Sequence, residues 1–208
     1  MEKIKILGLG PGNLDYTLPI VLKKIEESDV IIGGKRHLES LGKYTKNKEH
    51  FYISADLSKV IEFINENRDK KISLVVSGDT GFHSFLAFIK KHFCDNELEV
   101  IAGISSLQYM FAKISDFWND AYISSVHGKN FDYVSKLREY EKIGLLTDFS
   151  KNTPQNIAKK LFENGFENAK IFVGENLSYE NEKIYEFKVS KLKDYEKKFG
   201  MNVVIIKR

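Results

Sequence analysis

This 208-residue sequence has little cysteine and no long apolar run, and both absences exclude classes of protein. Cys94 is the only cysteine, which excludes a disulfide framework or a multi-cysteine metal site, and we expect a buried or half-buried thiol. No apolar run approaches the roughly 18 residues that cross a membrane, and the five histidines lack ligand spacing. A strand pattern that begins at once after Met1 leaves no room for a signal peptide. We therefore expect a cytoplasmic protein with no membrane association and no bound metal.

Arginine is also scarce, and charge of one sign does not dominate. The chain has 32 basic and 29 acidic residues, for a net charge of +3, and lysines alternate with glutamates. A nucleic-acid-binding protein usually concentrates basic residues, arginine among them, on one face. We expect no nucleic-acid partner. With 42% hydrophobic residues and only three prolines, the chain has enough apolar material for a folded core.

The first half alternates short apolar runs with segments of helical spacing. Runs typical of strands occupy residues 5–9, 30–32, 72–76 and 99–101, and glycines follow each of them. Apolar residues at helical spacing follow, as in Leu18, Val21, Leu22 and Ile25, and we predict a further helix over about residues 84–93. This alternation predicts an α/β fold with a parallel sheet, whose ligands bind beyond the carboxyl ends of the strands. The four glycine loops should therefore lie along one edge.

The pattern changes near residue 114, and a polar connection surrounds the single Trp118. Beyond it we predict a helix over 133–140, a second helix starting at Thr153-Pro154, where proline fits the first helical position, and a charged helix between the last two strands. Strands are predicted at 144–147, 170–173, 183–187 and 202–206. The sequence thus predicts two α/β domains, at residues 1–114 and 115–208.

The first glycine loop, GLGPGN at residues 8–13, is similar in position to a dinucleotide-binding fingerprint. Asn13 replaces the third glycine of that fingerprint, and Pro11 removes a backbone N–H. No carboxylate follows the second strand, where Lys35 and Arg36 stand instead. An NADP-dependent oxidoreductase, with this basic pair at a 2′-phosphate, stays open, as does a tight turn without a ligand.

Two further loops resemble those of the tetrapyrrole methylase family, which uses S-adenosylmethionine on porphyrin and corrin precursors. SGDTG at 77–81 resembles the family's Gly-Asp-Pro loop, with Thr80 in place of proline. AGISS at 102–106 resembles its Pro-Gly-Ile-Ser-Ser turn, with Ala102 in place of proline. Together with residues 8–12, these loops occur in the family's order and at its spacings.

Further segments are similar to the family's cobalt-precorrin-7 C(5)-methyltransferase branch. These are VIIGGKRHL at 30–38, residues 105–111 followed by Trp118, and SVHGK at 125–129. The resemblance covers nearly the whole chain and is strongest over residues 6–129. It implies two α/β domains with the cofactor in the cleft between them, a homodimer, and a corrin-precursor substrate in cobalamin biosynthesis. The chain lacks the additional domain of longer fusions, so a separate enzyme would methylate C(15) and decarboxylate a side chain.

The resemblance also assigns residues to the site. Those assigned to S-adenosylmethionine are Leu9, Gly78, Asp79, Phe82, Ser105, Ser106, Leu146 and Thr147. Substrate carboxylates would meet Lys35, Arg36 and Lys129, and His127 would take a proton or hold a carboxylate.

Plainer interpretations stay open for each of these residues: a turn residue at Asp79, helix caps at Ser105 and Ser106, surface charge at the lysines, and a structural histidine at 127. A methylase of the same family acting elsewhere on the ring or on another substrate, and a non-catalytic binding module, also stay open.

Overall fold

The computed structural model describes residues 2–128 and 130–208, and the chain divides into two compact units, Met1–Ser105 and Ser106–Arg208. The division comes earlier than the boundary after residue 114 that the sequence predicts. The helix that starts at Ser106 packs on the second unit. A Cβ on Gly144 would lie 3.3 Å from Leu107, and one on Gly174 would lie 2.6 Å from the Met110 sulfur.

The described residues of the first unit, 2–105, form five strands and four α-helices. The strands are β1 (Ile4–Gly8), β2 (Val30–Gly33), β3 (Glu49–Tyr52), β4 (Ile72–Val76) and β5 (Leu98–Ile101). The helices are α1 (Pro19–Glu26), α2 (Lys35–Leu41), α3 (Ser58–Glu66) and α4 (Leu86–Ile89).

All the strands of this unit run parallel, in the order β3-β2-β4-β1-β5. β1 and β4 are buried along their whole length, which explains why their sequences are continuous apolar runs. Separate apolar clusters cover the two faces of the sheet, one including Ile64 and Phe93, the other Val21 and Leu41. The predicted parallel α/β arrangement is confirmed.

The second unit is a mixed sheet with helices. Its helices are α5 (Ser106–Lys113), α6 (Tyr133–Glu139), α7 (Pro154–Glu163) and α8 (Val189–Leu192). Its strands are β6 (Ala121–Ser125), β7 (Lys142–Leu146), β8 (Lys170–Glu175), β9 (Lys183–Lys188) and β10 (Asn202–Lys207). The order is β6-β7-β10-β8-β9, with β6 and β7 parallel and the other neighbours antiparallel. Thr153 caps α7 by accepting the Asn156 N–H, and Pro154 occupies the first helical position as predicted.

Two predictions about the first unit are wrong in detail. Cys94 is exposed rather than buried. The helix predicted over residues 84–93 is reduced to α4 and flanking turns, because Ser84 bonds back to the Thr80 carbonyl and organises the start as a turn. Across residues 2–128 and 130–208, no helix is both long and apolar enough to cross a bilayer.

Candidate functional site

Three loops of the first unit cross at the carboxyl ends of β1, β4 and β5, and glycines form the crossing. A Cβ on Gly8 would lie 2.6 Å from the Gly103 nitrogen, and one on Gly103 would lie 2.3 Å from the Gly78 carbonyl oxygen. Such distances are closer than any side chain tolerates, so only glycine permits the loops to meet. The prediction that these loops share one edge of the sheet is confirmed.

Gly78 links the second loop to the first through a pair of backbone hydrogen bonds. Its N–H donates to the Gly10 carbonyl at 2.8 Å, and the Gly10 N–H donates to the Gly78 carbonyl at 3.2 Å. Gly78 adopts φ +65°, which favours glycine, and a Cβ there would meet only the Ser105 Cα, at 3.7 Å. The face above Gly78 therefore stays open within this unit, and a ligand can approach its backbone closely.

Leu9 is fixed between these glycines. Its N–H donates to the Val76 carbonyl at 2.9 Å, and its carbonyl accepts from the buried Thr17 hydroxyl at 2.6 Å. Its side chain is buried in the apolar cluster on one face of the sheet. A ligand would thus meet Leu9 mainly through van der Waals contact.

Asp79 joins the second loop to the third. Its Oδ1 accepts from the Gly81 N–H at 2.8 Å, and its Oδ2 accepts from the Gly103 N–H at 3.2 Å. A carboxylate that receives two backbone N–H groups makes strong, directional hydrogen bonds. The side chain therefore fixes the spacing of two loops that the sequence assigns to the cofactor.

The remaining residues assigned from the second and third loops differ in exposure. Phe82 is half-buried and meets the His83 ring edge-to-face, with 4.7 Å between centroids. Ser105 is buried, whereas Ser106 is half-buried and is the first residue of α5. Hydroxyl or N–H groups at the start of a helix are suited to a carboxylate.

Lys35 and Arg36 begin α2, directly beyond the carboxyl end of β2, and both are exposed. Lys35 lies 3.9 Å from Glu39 on the same helix. Because β2 neighbours β4 in the sheet, this basic pair and the Gly78 loop lie at the same edge. The third basic residue assigned to substrate, Lys129, lies outside the described residues.

In the second unit, Leu146 and Thr147 end β7 at the edge where β6 also ends. The Leu146 carbonyl accepts from the Val126 N–H at 2.9 Å. The buried Thr147 hydroxyl lies 2.6 Å from the Asn202 carbonyl and 2.7 Å from its Oδ1. Asn202 Nδ2 donates to the Gly200 carbonyl, which orients the Asn202 Oδ1 towards Thr147.

His127 lies at this same edge and is exposed. Its Nδ1 lies 3.0 Å from the Thr147 carbonyl oxygen. A carbonyl can only accept a hydrogen bond, so Nδ1 must carry the proton. In the neutral ring the lone pair is then on Nε2, the nitrogen that is able to accept a proton.

Sequence reasoning missed the residues that fix this geometry. Thr17 holds Leu9 and Asn202 holds Thr147, while Asp148 organises the turn that follows β7. Asp-x-Ser at 148–150 is the only one of these with a local signal, since aspartate commonly accepts backbone N–H groups in turns. No such signal marks Thr17 or Asn202, because their partners, the Leu9 carbonyl and the Thr147 hydroxyl, are brought near only by the fold.

Residues 3–193 match the family model of the tetrapyrrole (corrin/porphyrin) methylases. A cobalt-precorrin-7 C(5)-methyltransferase of Salmonella typhimurium is 32% identical over 98% of both chains. A probable cobalt-precorrin-7 C(5)-methyltransferase of Methanocaldococcus jannaschii is 36% identical over 87% of both.

Solved structures share the fold. A precorrin-6Y methylase of Archaeoglobus fulgidus has a TM-score of 0.77 at 20% identity, covering 99% of this chain and 98% of its own. A uroporphyrin-III C-methyltransferase of Thermus thermophilus, solved with S-adenosylhomocysteine, has a TM-score of 0.78 at 14% identity, covering 99% and 97%.

Proposed function

Because the chain belongs to the tetrapyrrole (corrin/porphyrin) methylases, we propose that it methylates C(5) of cobalt-precorrin-7 in cobalamin biosynthesis, using S-adenosylmethionine. The two relatives named for that activity match nearly the whole chain, and each is matched over nearly its own length. The observation that carries the proposal is the crossing of Gly8, Gly78 and Gly103 under an open backbone face.

The residues present fit this cofactor. The open face of Gly78 admits a ligand where a side chain would obstruct it, and Asp79 holds the neighbouring loop in place. Leu9, Phe82 and Ser105 would complete the contacts in the first unit, and Ser106, Leu146 and Thr147 are the residues proposed from the second.

When bound, S-adenosylmethionine supplies an electrophilic methyl group whose transfer to the substrate carbon leaves S-adenosylhomocysteine. The protein's contribution is to align that carbon and exclude water. His127 Nε2 takes the proton that the methylated carbon releases, since Nδ1 is committed to the Thr147 carbonyl. The cations of Lys35, Arg36 and Lys129 orient carboxylates on the rim of the macrocycle.

The proposal includes a homodimer in the cytoplasm and a separate enzyme for C(15) methylation and decarboxylation. Sedimentation equilibrium of the purified protein tests the dimer directly. A mass that stays at 24.0 kDa at all concentrations would contradict it.

Calorimetric titration with S-adenosylmethionine, S-adenosylhomocysteine and NADPH tests the cofactor. We expect one S-adenosylmethionine or S-adenosylhomocysteine per chain and no NADPH. Binding of NADPH alone would overturn the proposal and make Lys35 and Arg36 a 2′-phosphate site.

Incubation with enzymatically prepared cobalt-precorrin-7 then tests the substrate, and NMR of the product identifies the methylated carbon. A methyl at another ring position would place the chain elsewhere in the same family.

A further inference from the structure

The turn after β7 presents an aromatic ring to solvent, at the edge of the sheet where His127 also lies. Phe149 is 67% exposed, the largest exposed fraction among the large hydrophobic side chains of the described residues. It lies two residues beyond Thr147, whose carbonyl holds the His127 ring. Exposure of an apolar ring to water is unfavourable, and a large exposed ring commonly marks a binding surface.

The turn that carries Phe149 is held by Asp148. Its Oδ1 accepts from the N–H groups of Ser150, Lys151 and Asn152 at 2.9, 2.7 and 2.9 Å. Its Oδ2 accepts from Asn152 Nδ2 at 2.8 Å. The backbone on both sides of the ring is therefore fixed, and Phe149 is not exposed through a lack of local structure.

Asn152 also ties the turn to the segment before His127. Its Nδ2 donates to the Val126 carbonyl at 2.7 Å in addition to its bond with Asp148. Asp148, Asn152 and Val126 thus couple the turn to the strand end that carries the histidine. Phe149 and His127 are held at the same edge of the sheet by one hydrogen-bonded framework.

Other exposed phenylalanines of this unit are covered by cations, whereas Phe149 is not. Lys142 Nζ lies 3.4 Å from the centroid of Phe117, and Lys193 Nζ lies 4.8 Å from that of Phe162. Within the part of the chain that the structure describes, neither a cation nor another ring stacks on Phe149. Its face is available to a flat ligand.

The turn that carries Phe149 also carries a cation. Lys151, two residues on, is exposed and donates from Nζ to Asn130 Oδ1 at 2.9 Å. An aromatic face next to an amine is suited to a flat macrocycle with carboxylates on its rim. We infer that Phe149 stacks on the face of the corrin substrate while Lys151 meets one of its carboxylates, which makes Phe149 a substrate-binding residue. The inference rests on the proposed function.

The test is steady-state kinetics of Phe149→Ala with cobalt-precorrin-7 and S-adenosylmethionine. Stacking on an aromatic side chain is a contact made with the substrate, so we expect KM for cobalt-precorrin-7 to rise about tenfold. The affinity for S-adenosylhomocysteine and the melting temperature should not change. Phe149→Tyr, which keeps the flat ring, should restore KM to near the wild-type value.

Phe162→Ala is the matched control. It also removes a partly exposed ring, but from a position eight residues along α7, about 12 Å from the helix start. We expect its KM to equal that of the wild type.

Three outcomes overturn the inference and can be told apart. If the wild-type protein methylates cobalt-precorrin-7 and Phe149→Ala keeps its KM, only the stacking role is wrong. A KM that stays constant while sedimentation shows a lost dimer would assign the ring to an interface between copies. If the wild-type protein neither binds S-adenosylhomocysteine nor methylates the corrin, the proposed function fails and the inference fails with it.

Discussion

Gly103 lies where three loops of the first unit cross, and the backbone around it leaves no room for a Cβ atom. In Gly103→Ala the Cβ would lie 2.3 Å from the Gly78 carbonyl oxygen and 2.8 Å from the Gly8 backbone. Both neighbours are backbone, so the loops must separate. We expect a loss of about 1–3 kcal/mol in the free energy of unfolding, as for other overpacked sites, together with loss of S-adenosylhomocysteine binding. Urea unfolding and calorimetry measure the two effects.

Gly42→Ala is the control for that substitution. Gly42 has φ +47°, but its Cβ would meet no atom within 4 Å, so only the backbone conformation is strained, at a cost of about 1–2 kcal/mol. The control should bind S-adenosylhomocysteine normally. Normal binding by Gly103→Ala as well would show that the crossing is no part of the cofactor site.

Two variants of Asp79 show whether its side chain positions the loops or binds the cofactor directly. Asp79→Ala removes the acceptors of the Gly81 and Gly103 N–H groups, and hydrogen bonds to charged groups contribute about 1.5–3 kcal/mol each. We expect the Kd for S-adenosylhomocysteine to rise at least about tenfold by calorimetry. Asp79→Asn keeps one carbonyl acceptor and should lose less. An asparagine variant as weak as the alanine variant would instead indicate that the carboxylate charge contacts the ligand.

His127 is tested by turnover rather than by binding. A positioned general base typically contributes about 10²–10⁴-fold to the rate. We expect His127→Ala to lower kcat at saturating substrate by about 10²-fold or more, with S-adenosylhomocysteine affinity unchanged. His92→Ala, another exposed histidine, should have wild-type kcat. Wild-type turnover in His127→Ala would refute the role.

Short motifs allow the sequence to propose residues for the site. Gly78 and Asp79 stand in a glycine loop directly after a buried strand, and that context is local. Thr17 and Asn202 were not predictable, because Thr17 donates to a carbonyl 8 residues away and Asn202 accepts from a hydroxyl 55 residues away. Only the folded sheet brings those partners within reach.

At the scale of single elements, the turn over residues 148–152 makes stability depend on pH. Burial raises the pKa of the Asp148 carboxyl, but hydrogen bonds from Asn152, Ser150 and Lys151 outweigh it and hold the pKa well below the usual 3.8. A carboxyl with a depressed folded-state pKa stabilises the protein above its unfolded-state pKa. That contribution is lost as the pH falls from 3.8 towards the lower folded-state value.

We therefore expect Asp148→Asn to unfold at a lower urea concentration than the wild type at pH 7. The difference in the free energy of unfolding between the two proteins should stay constant down to about pH 4. It should narrow only below that pH, because only then does Asp148 of the unfolded wild-type chain bind a proton. Comparing the two proteins cancels the titration of other carboxylates. A difference that already narrows between pH 6 and pH 5 would contradict the depressed pKa.

Strands at the edges of the sheets show where element prediction failed. β3 and β6 are both edge strands, and most of their residues are half-buried or exposed. Neither therefore needs a continuous apolar run, which is the pattern that revealed β1 and β4. α2 was missed for a related reason, since its first residues, Lys35 and Arg36, interrupt any apolar stripe.

At the scale of the whole molecule, the alternation of strands and helices was enough to predict two α/β units, but not where they divide. α5 follows a glycine loop of the first sheet in sequence, whereas Leu107 and Met110 pack on strands of the second. Packing across distant positions decides such a boundary, and hydrophobic periodicity alone does not carry that information.

Amide hydrogen exchange with and without S-adenosylhomocysteine tests the assigned contacts across both units. A ligand at 100 times its Kd stabilises the bound state by about 2.7 kcal/mol, so exchange should slow most where the ligand holds the backbone. We expect protection at residues 8–12, 77–82 and 103–105 in the first unit, and at residues 106 and 146–147 in the second. Asp79→Ala should lose the protection of 103–106 first, because that loop loses its bond to the Asp79 carboxylate. If protection is confined to the first unit, Leu146 and Thr147 do not contact the cofactor. Their edge of the second sheet would then serve His127 and the binding of the corrin substrate alone.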